Sequence, residues 1–167
     1  MHQYDYVIVG AGSAGSALAS RLSESGKFTV CLLEAGGSDK KFWVQMPLGY
    51  GKVFHDPSVN WRYMTEPEPN LDNQSVYWPR GKVLGGSSSI NAMVWVRGHK
   101  RDYEEWASVA PGWDWNNVQK IFNRIENWDG TSDVSRGMNG PQAVHDVSSD
   151  VHPLTISYLE AASQVGI

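Results

Sequence analysis

Two glycine-rich stretches carry the residue types with the most chemistry to offer. The first, Gly10-Ala11-Gly12-Ser13-Ala14-Gly15, is followed by an acid, Glu34, 19 residues after its last glycine. In that spacing the first glycine makes a tight turn, the second admits a pyrophosphate to the backbone, and the third lets a helix pack closely. An acid about 20 residues further on reaches a ribose hydroxyl, and it repels a 2′-phosphate. The second stretch runs from Arg80 to Asn91 as RGKVLGGSSSIN. Its glycines, ending at Gly86, let the backbone approach a ligand, and Ser87 and its neighbours offer donors where a helix could begin. Arg80 and Lys82 add fixed positive charge, so this turn suits a flat or anionic group. Its apolar flanks, Val76 to Trp78 and Ile90 to Trp95, argue against a solvated linker.

Elements that position these residues are legible around them. Tyr4 to Val9 is apolar and β-branched, which predicts a short, fully buried strand of a parallel sheet. Ala14, Ala17, Leu18, Arg21 and Leu22 recur at helical spacing, and Thr29 to Leu33 predicts a second strand ending in Glu34. Strand, glycine turn, helix, strand and acid in that order make a dinucleotide fingerprint, which fits a nicotinamide or a flavin dinucleotide. A nicotinamide domain would continue with another helix and strand. Here Glu34-Ala35-Gly36-Gly37 instead opens a long segment punctuated by Pro47, Gly49, Gly51, Pro57, Pro67 and Pro69. This reads as an excursion over a long cofactor, with Asn60 to Met64 as a short piece of strand. A helix N-terminus at the second glycine turn, with Arg80 and Lys82 beside it, would then raise the electron affinity of a flavin.

Beyond the second turn, Asp102, Tyr103, Glu105 and Trp106 predict a short amphipathic helix. Asn116 to Asn127 predicts a firmer one, with a core-facing stripe of Val118, Ile121, Phe122 and Ile125. Thr131 to Asp150 reads as loop with a strand within 141–147, and Pro153 to Val165 as helix with proline at its first position. The five histidines lack partners at ligand spacing and are expected at the surface or in packing, with no metal. A net charge of −4 with scattered lysines and arginines argues against nucleic acid. The single cysteine, Cys31, leaves no internal disulfide and fits a reducing compartment; with no apolar run of spanning length and no signal segment, the expectation is a cytoplasmic protein.

Taken together, the two motifs resemble the glucose–methanol–choline oxidoreductases, flavoenzymes that oxidise alcohols. The likeness rests on Gly10 to Gly15 with Glu34-Ala35-Gly36, and on the signature Gly81 to Asn91 extended through Trp95, Gly98 and Glu104; Asn60-Trp61 and Glu66-Pro67-Glu68-Pro69 add to it. It covers nearly the whole chain and is nearest the choline-dehydrogenase-like branch. The resemblance implies FAD, with Ser13 and Ala14 at the pyrophosphate, Glu34 at the adenosine ribose, and Val83, Asn91, Ala92, Met93 and Val94 on the flavin side. Some members attach FAD through a histidine where this chain has Ile90, which implies noncovalent FAD here. The expected fold is α/β, a Rossmann-like FAD-binding βαβ unit (1–37), an extended excursion (38–79), a flavin-contacting signature (80–98), and helices with a loop (99–167). Family members run on for several hundred residues, with substrate domain and catalytic histidine near the far end. One βαβ unit supplies only two parallel strands, so the chain reads as an incomplete front third of an enzyme. Two functions stand side by side: part of an FAD-dependent alcohol oxidoreductase, or a cofactor-binding or interaction piece without turnover. A nicotinamide-dependent reductase is disfavoured by the irregular segment after Gly37.

Overall fold

In the computed structural model, which describes residues 2–166, Tyr6–Val9 forms strand β1 and Val30–Leu33 forms β2. They pair in parallel with Tyr6 opposite Val30 and Val9 opposite Leu33. Between them lies helix α1, Ser13–Ser23, started at Gly12 and carrying an Arg21–Glu24 ion pair of 3.0 Å on its last turn. Small residues set its seat: a Cβ at Gly15 would lie 1.9 Å from the Gly10 carbonyl oxygen. The expectation of a fully buried strand is corrected here. Only Ile8 of β1 is buried, and Val9 is 84% exposed, because the sheet has two strands and α1 covers a single face.

The excursion is less extended than its prolines suggest. It contains two single-turn helices, α2 (Phe42–Gln45) and α3 (Tyr50–Val53). Strand β3 is only Tyr63–Met64, shorter than the predicted 60–64, and it pairs antiparallel with β4, Tyr77–Trp78. Asn60 makes only an isolated antiparallel bridge to Gly81, and its buried side chain braces the chain around it. Its Nδ2 donates to the Phe54 carbonyl (2.9 Å), while its Oδ1 accepts from the Arg62 and Arg80 amides (2.9 and 3.0 Å). That arrangement holds Arg62 at φ 58°, a left-handed conformation that ends regular strand. The core of this unit, which spans Met1–Val94, is Val53, Val59, Val83 and Ile90, with Val44 against it.

The second unit spans Trp95–Ile167. Helix α4 (Lys100–Ala107) begins with a capping box in which His99 accepts from the Arg101 amide and Asp102 accepts from the His99 amide. Helix α5 (Trp115–Ile125) is capped by Asp114. Tyr103 lies at 5.6–6.1 Å between centroids from Trp106, Trp115 and Phe122, which joins the two helices. The predicted continuation of α5 to Asn127 fails because Glu126–Trp128 is strand β5, paired in parallel with β6, Gln142–Val144. Helix α6, Pro153–Gln164, is capped by His152 and has no buried residue. Of the apolar stripe on α5, Val118 is buried and Ile121 is half exposed.

Glu126, fully buried, explains why the chain leaves helix there. Its Oε1 accepts from Trp95 Nε1 and Arg136 (both 2.9 Å), and its Oε2 accepts from Arg97 and from the Gly137 amide (2.9 Å). A buried carboxylate held this way outweighs the helical periodicity of the residues before it.

Candidate functional site

The two glycine turns meet backbone to backbone. The Gly85 amide donates to the Ala11 carbonyl at 2.8 Å, and Gly12 bridges Gly85 in parallel fashion. Gly85 and Gly86 adopt φ of 87° and 58°, open to glycine at little cost, and a Cβ on Gly86 would come within 2.8 Å of Gly12 Cα. Ser13 and Ser88 hydroxyls lie 3.0 Å apart across the junction. The end of β2 joins them: the Leu84 amide donates to the Gly37 carbonyl at 2.9 Å, and a Cβ on Gly36 would sit 2.0 Å from the Lys82 backbone.

Glu34 ties this assembly together. Its Oε2 accepts from the Ala11 amide and its Oε1 from the Gly36 amide, both at 2.8 Å. Each oxygen retains a lone pair, so a hydroxyl can still donate to the carboxylate. Between the turns and the β3–β4 hairpin lies a cavity of about 740 Å³. Gly10, Gly12, Glu34 and Ala35 line it together with Arg80, Gly81, Gly86 and Ser87. Trp61 and Tyr63, which lie outside the two glycine motifs, also line it, with Val9 and Leu33.

The remaining predicted residues lie elsewhere. Ser13, Ala14 and Gly15 occupy the first turn of α1 and do not line the cavity. Val83 is fully buried in the core, its carbonyl accepting from the Gly86 amide at 2.7 Å, and it does not line the cavity. Asn91 and Met93 border a different, smaller cavity of about 120 Å³ with Trp43 and Tyr50. There Asn91 Oδ1 accepts from the Met93 amide (2.8 Å), and Met93 stands at φ 60°. Ala92 and Val94 are exposed.

One expectation is overturned: no α-helix starts at the signature. Gly86–Ser89 is a single 3-10 turn that ends at Ile90. Serine hydroxyls cause this by bonding backward, Ser88 to the Gly85 carbonyl and Ser89 to the Leu84 carbonyl (2.6 Å), which competes with helix propagation. The fixed positive charge beside this turn comes from Arg80 and Lys82, not from a long helix dipole.

The family profile described as GMC oxidoreductase matches residues 4–167. The chain belongs to the GMC oxidoreductase family. An oxygen-dependent choline dehydrogenase of Photobacterium profundum is 46% identical over 165 residues, covering 98% of this chain and 29% of that protein. Among solved structures, pyridoxine 4-oxidase from Mesorbium loti superposes with a TM-score of 0.91 at 34% identity, over 99% of this chain and 33% of that one. An FAD-dependent oxidoreductase from Chaetomium thermophilum gives 0.83 at 30% identity, over 99% and 30%. The chain thus spans about a third of the length of the GMC oxidoreductases it matches. Its α/β architecture is that of their N-terminal parts.

Histidines take no part in this GMC cavity. His99 and His152 cap helices, and His145 pairs with Asp129 at the surface. The Asp129 carboxylate raises the His145 pKa, and the imidazole in turn lowers that of Asp129. Among the described residues no group of three or more His, Cys, Asp or Glu is placed to hold a metal ion, and no helix is long and apolar enough to cross a membrane.

Proposed function

We propose that this chain holds FAD noncovalently and supplies the cofactor-binding part of an oxidoreductase acting on the CH–OH group of an alcohol. The observation that carries the reading is Gly12. Its φ is −77°, and an added Cβ would find nothing nearer than Gly86 Cα at 3.9 Å. Neither backbone strain nor packing demands glycine there, yet the residue lines the cavity. What remains to demand it is a ligand lying against the backbone.

In this reading Gly10, Gly12, Ser13 and Ala14 form a Rossmann-like turn that takes the pyrophosphate on backbone N–H groups, and Gly15 seats the helix behind it. Glu34 accepts a hydroxyl of the adenosine ribose, with Ala35 beside it. Arg80, Gly86 and Ser87 supply charge and donors to the same cavity. The backbone of Val83, and Asn91 to Val94, serve the flavin half, the left-handed Met93 turning the chain there. In this reading residues 1–37 hold the dinucleotide, 38–79 cover it, and 80–98 meet the flavin. Ile90, which offers no nucleophile and is buried in the core, supports noncovalent attachment. Bound FAD supplies the hydride acceptor for an alcohol carbon. Oxidation of a small alcohol is the activity that the choline dehydrogenase and pyridoxine oxidase relatives favour. A cytoplasmic location completes the proposal and rests on the free thiol of Cys31.

Purification with FAD, followed by denaturation, tests the assignment: yellow colour released with the small molecules supports it, and a folded chain that takes up no FAD contradicts it. A second reading, FAD binding without turnover, is favoured by the cavity itself. Its one carboxylate, Glu34, has both oxygens engaged by amides, and no histidine lines it among the described residues. Turnover of an alcohol by the chain alone would exclude that reading.

A further inference from the structure

Trp61 and Tyr63 are held rigidly and left uncovered. Their rings are nearly parallel (8°) with centroids 6.0 Å apart, yet they remain 41% and 51% exposed. The hydrogen bonds of buried Asn60 fix the backbone on both sides of Trp61, whose own amide donates to the Arg80 carbonyl at 2.9 Å. Tyr63 is pinned opposite Trp78 in the hairpin. The Lys82 ammonium sits 4.6 Å from the Trp61 ring centroid and lines a neighbouring cavity of about 450 Å³, so it occupies Trp61 from that side.

We propose that Trp61 and Tyr63 form the wall against which the adenine of the bound dinucleotide stacks. This rests on the FAD reading and extends it to residues outside both glycine motifs. Two placements choose adenine over flavin. Leu33, Glu34 and Ala35 share the cavity with the aromatic pair, so a ribose held at Glu34 puts its base within reach of the rings. Asn91 and Met93, which the FAD reading assigns to the flavin, line a separate cavity that contains neither ring. A flat, neutral base suits an aromatic wall, and stacking of this kind tolerates different bases because each has a π-face.

Calorimetric titration with ADP, FMN and FAD tests the assignment. Trp61→Leu is expected to weaken ADP and FAD about tenfold or more and to leave FMN unchanged, since losing one stacked base contact costs on that order. Trp61→Phe keeps most of the ADP affinity. Circular dichroism checks each fold; should Trp61→Leu misfold, the half-exposed Tyr63→Leu carries the test with the same expected direction. Unchanged ADP affinity in the folded leucine variants overturns the proposal, as does an equal loss for FMN. If the unaltered chain binds neither ADP nor FAD, the cofactor reading itself falls, and the wall with it.

Discussion

Gly12→Ala separates a glycine kept for the fold from one kept for a ligand. Against the fold, the new methyl group meets only Gly86 Cα at 3.9 Å, an ordinary contact, and φ of −77° is open to alanine. Alanine is a poorer helix N-cap than glycine by about 1 kcal/mol or less. The reduced freedom of the unfolded chain returns about 0.4–1 kcal/mol, so net stability moves by less than about 1 kcal/mol. Against a bound pyrophosphate the same methyl stands where the ligand must touch the backbone. Overpacking of that kind costs about 1–3 kcal/mol, or roughly five- to 150-fold in affinity. Gly15→Ala is the contrast, since its Cβ would lie 1.9 Å from the Gly10 oxygen and must displace α1. Urea unfolding and FAD titration of both variants give the answer. Gly12→Ala should unfold with the unaltered chain and bind FAD far less tightly, whereas Gly15→Ala should lose stability. A Gly12→Ala chain with full FAD affinity refutes the argument.

Other consequences are equally direct. Glu34→Gln removes a charged acceptor of the Ala11 and Gly36 amides and should weaken ADP about tenfold or more by calorimetry, given about 1.5–3 kcal/mol for a hydrogen bond to a charged group; an unchanged affinity would remove Glu34 from the site. Glu126→Ala strands Arg97 and Arg136 and should cost the Trp95–Ile167 unit about 3–5 kcal/mol in urea unfolding. A loss below about 1 kcal/mol would mean that the guanidinium groups find water instead. For His145, the raised folded pKa makes its contribution full below the ordinary 6.5 and lost as pH rises through the folded value. For Asp129, the lowered pKa makes its contribution full above 3.8 and lost as pH falls through the folded value. The pair therefore acts at full strength between those ordinary values; NMR titration should find the His145 pKa above 6.5, and Asp129→Asn should bring it back down.

The legible parts of this molecule are those whose cause is local. The β1–α1–β2 unit was readable because glycine spacing, small helix residues and a terminal acid act within some 30 residues, and Gly15 packs as its motif implies. What sequence missed depends on distant partners. No local pattern announces that Gly85 bonds Ala11, or that Asn60 joins Arg80 to Arg62 and so cuts β3 short. Glu126 lies on a helical period, and only Trp95, Arg97 and Arg136 together pull it into strand. The missing signature helix has a local cause, since serines that can start a helix can also bond back and stop one. Trp61 is legible as part of the Asn60-Trp61 pair in the family likeness, but its place in the cavity depends on the fold around the Asn60 hub.

The central claim, that two touching glycine turns build one FAD site, is tested most directly by titrating the purified chain with FAD and then unfolding the complex. Saturable binding of one FAD, released intact on denaturation and weakened by Gly12→Ala without loss of stability, is the predicted result. A folded chain that binds no FAD, or one that binds equally well with alanine at position 12, would contradict it.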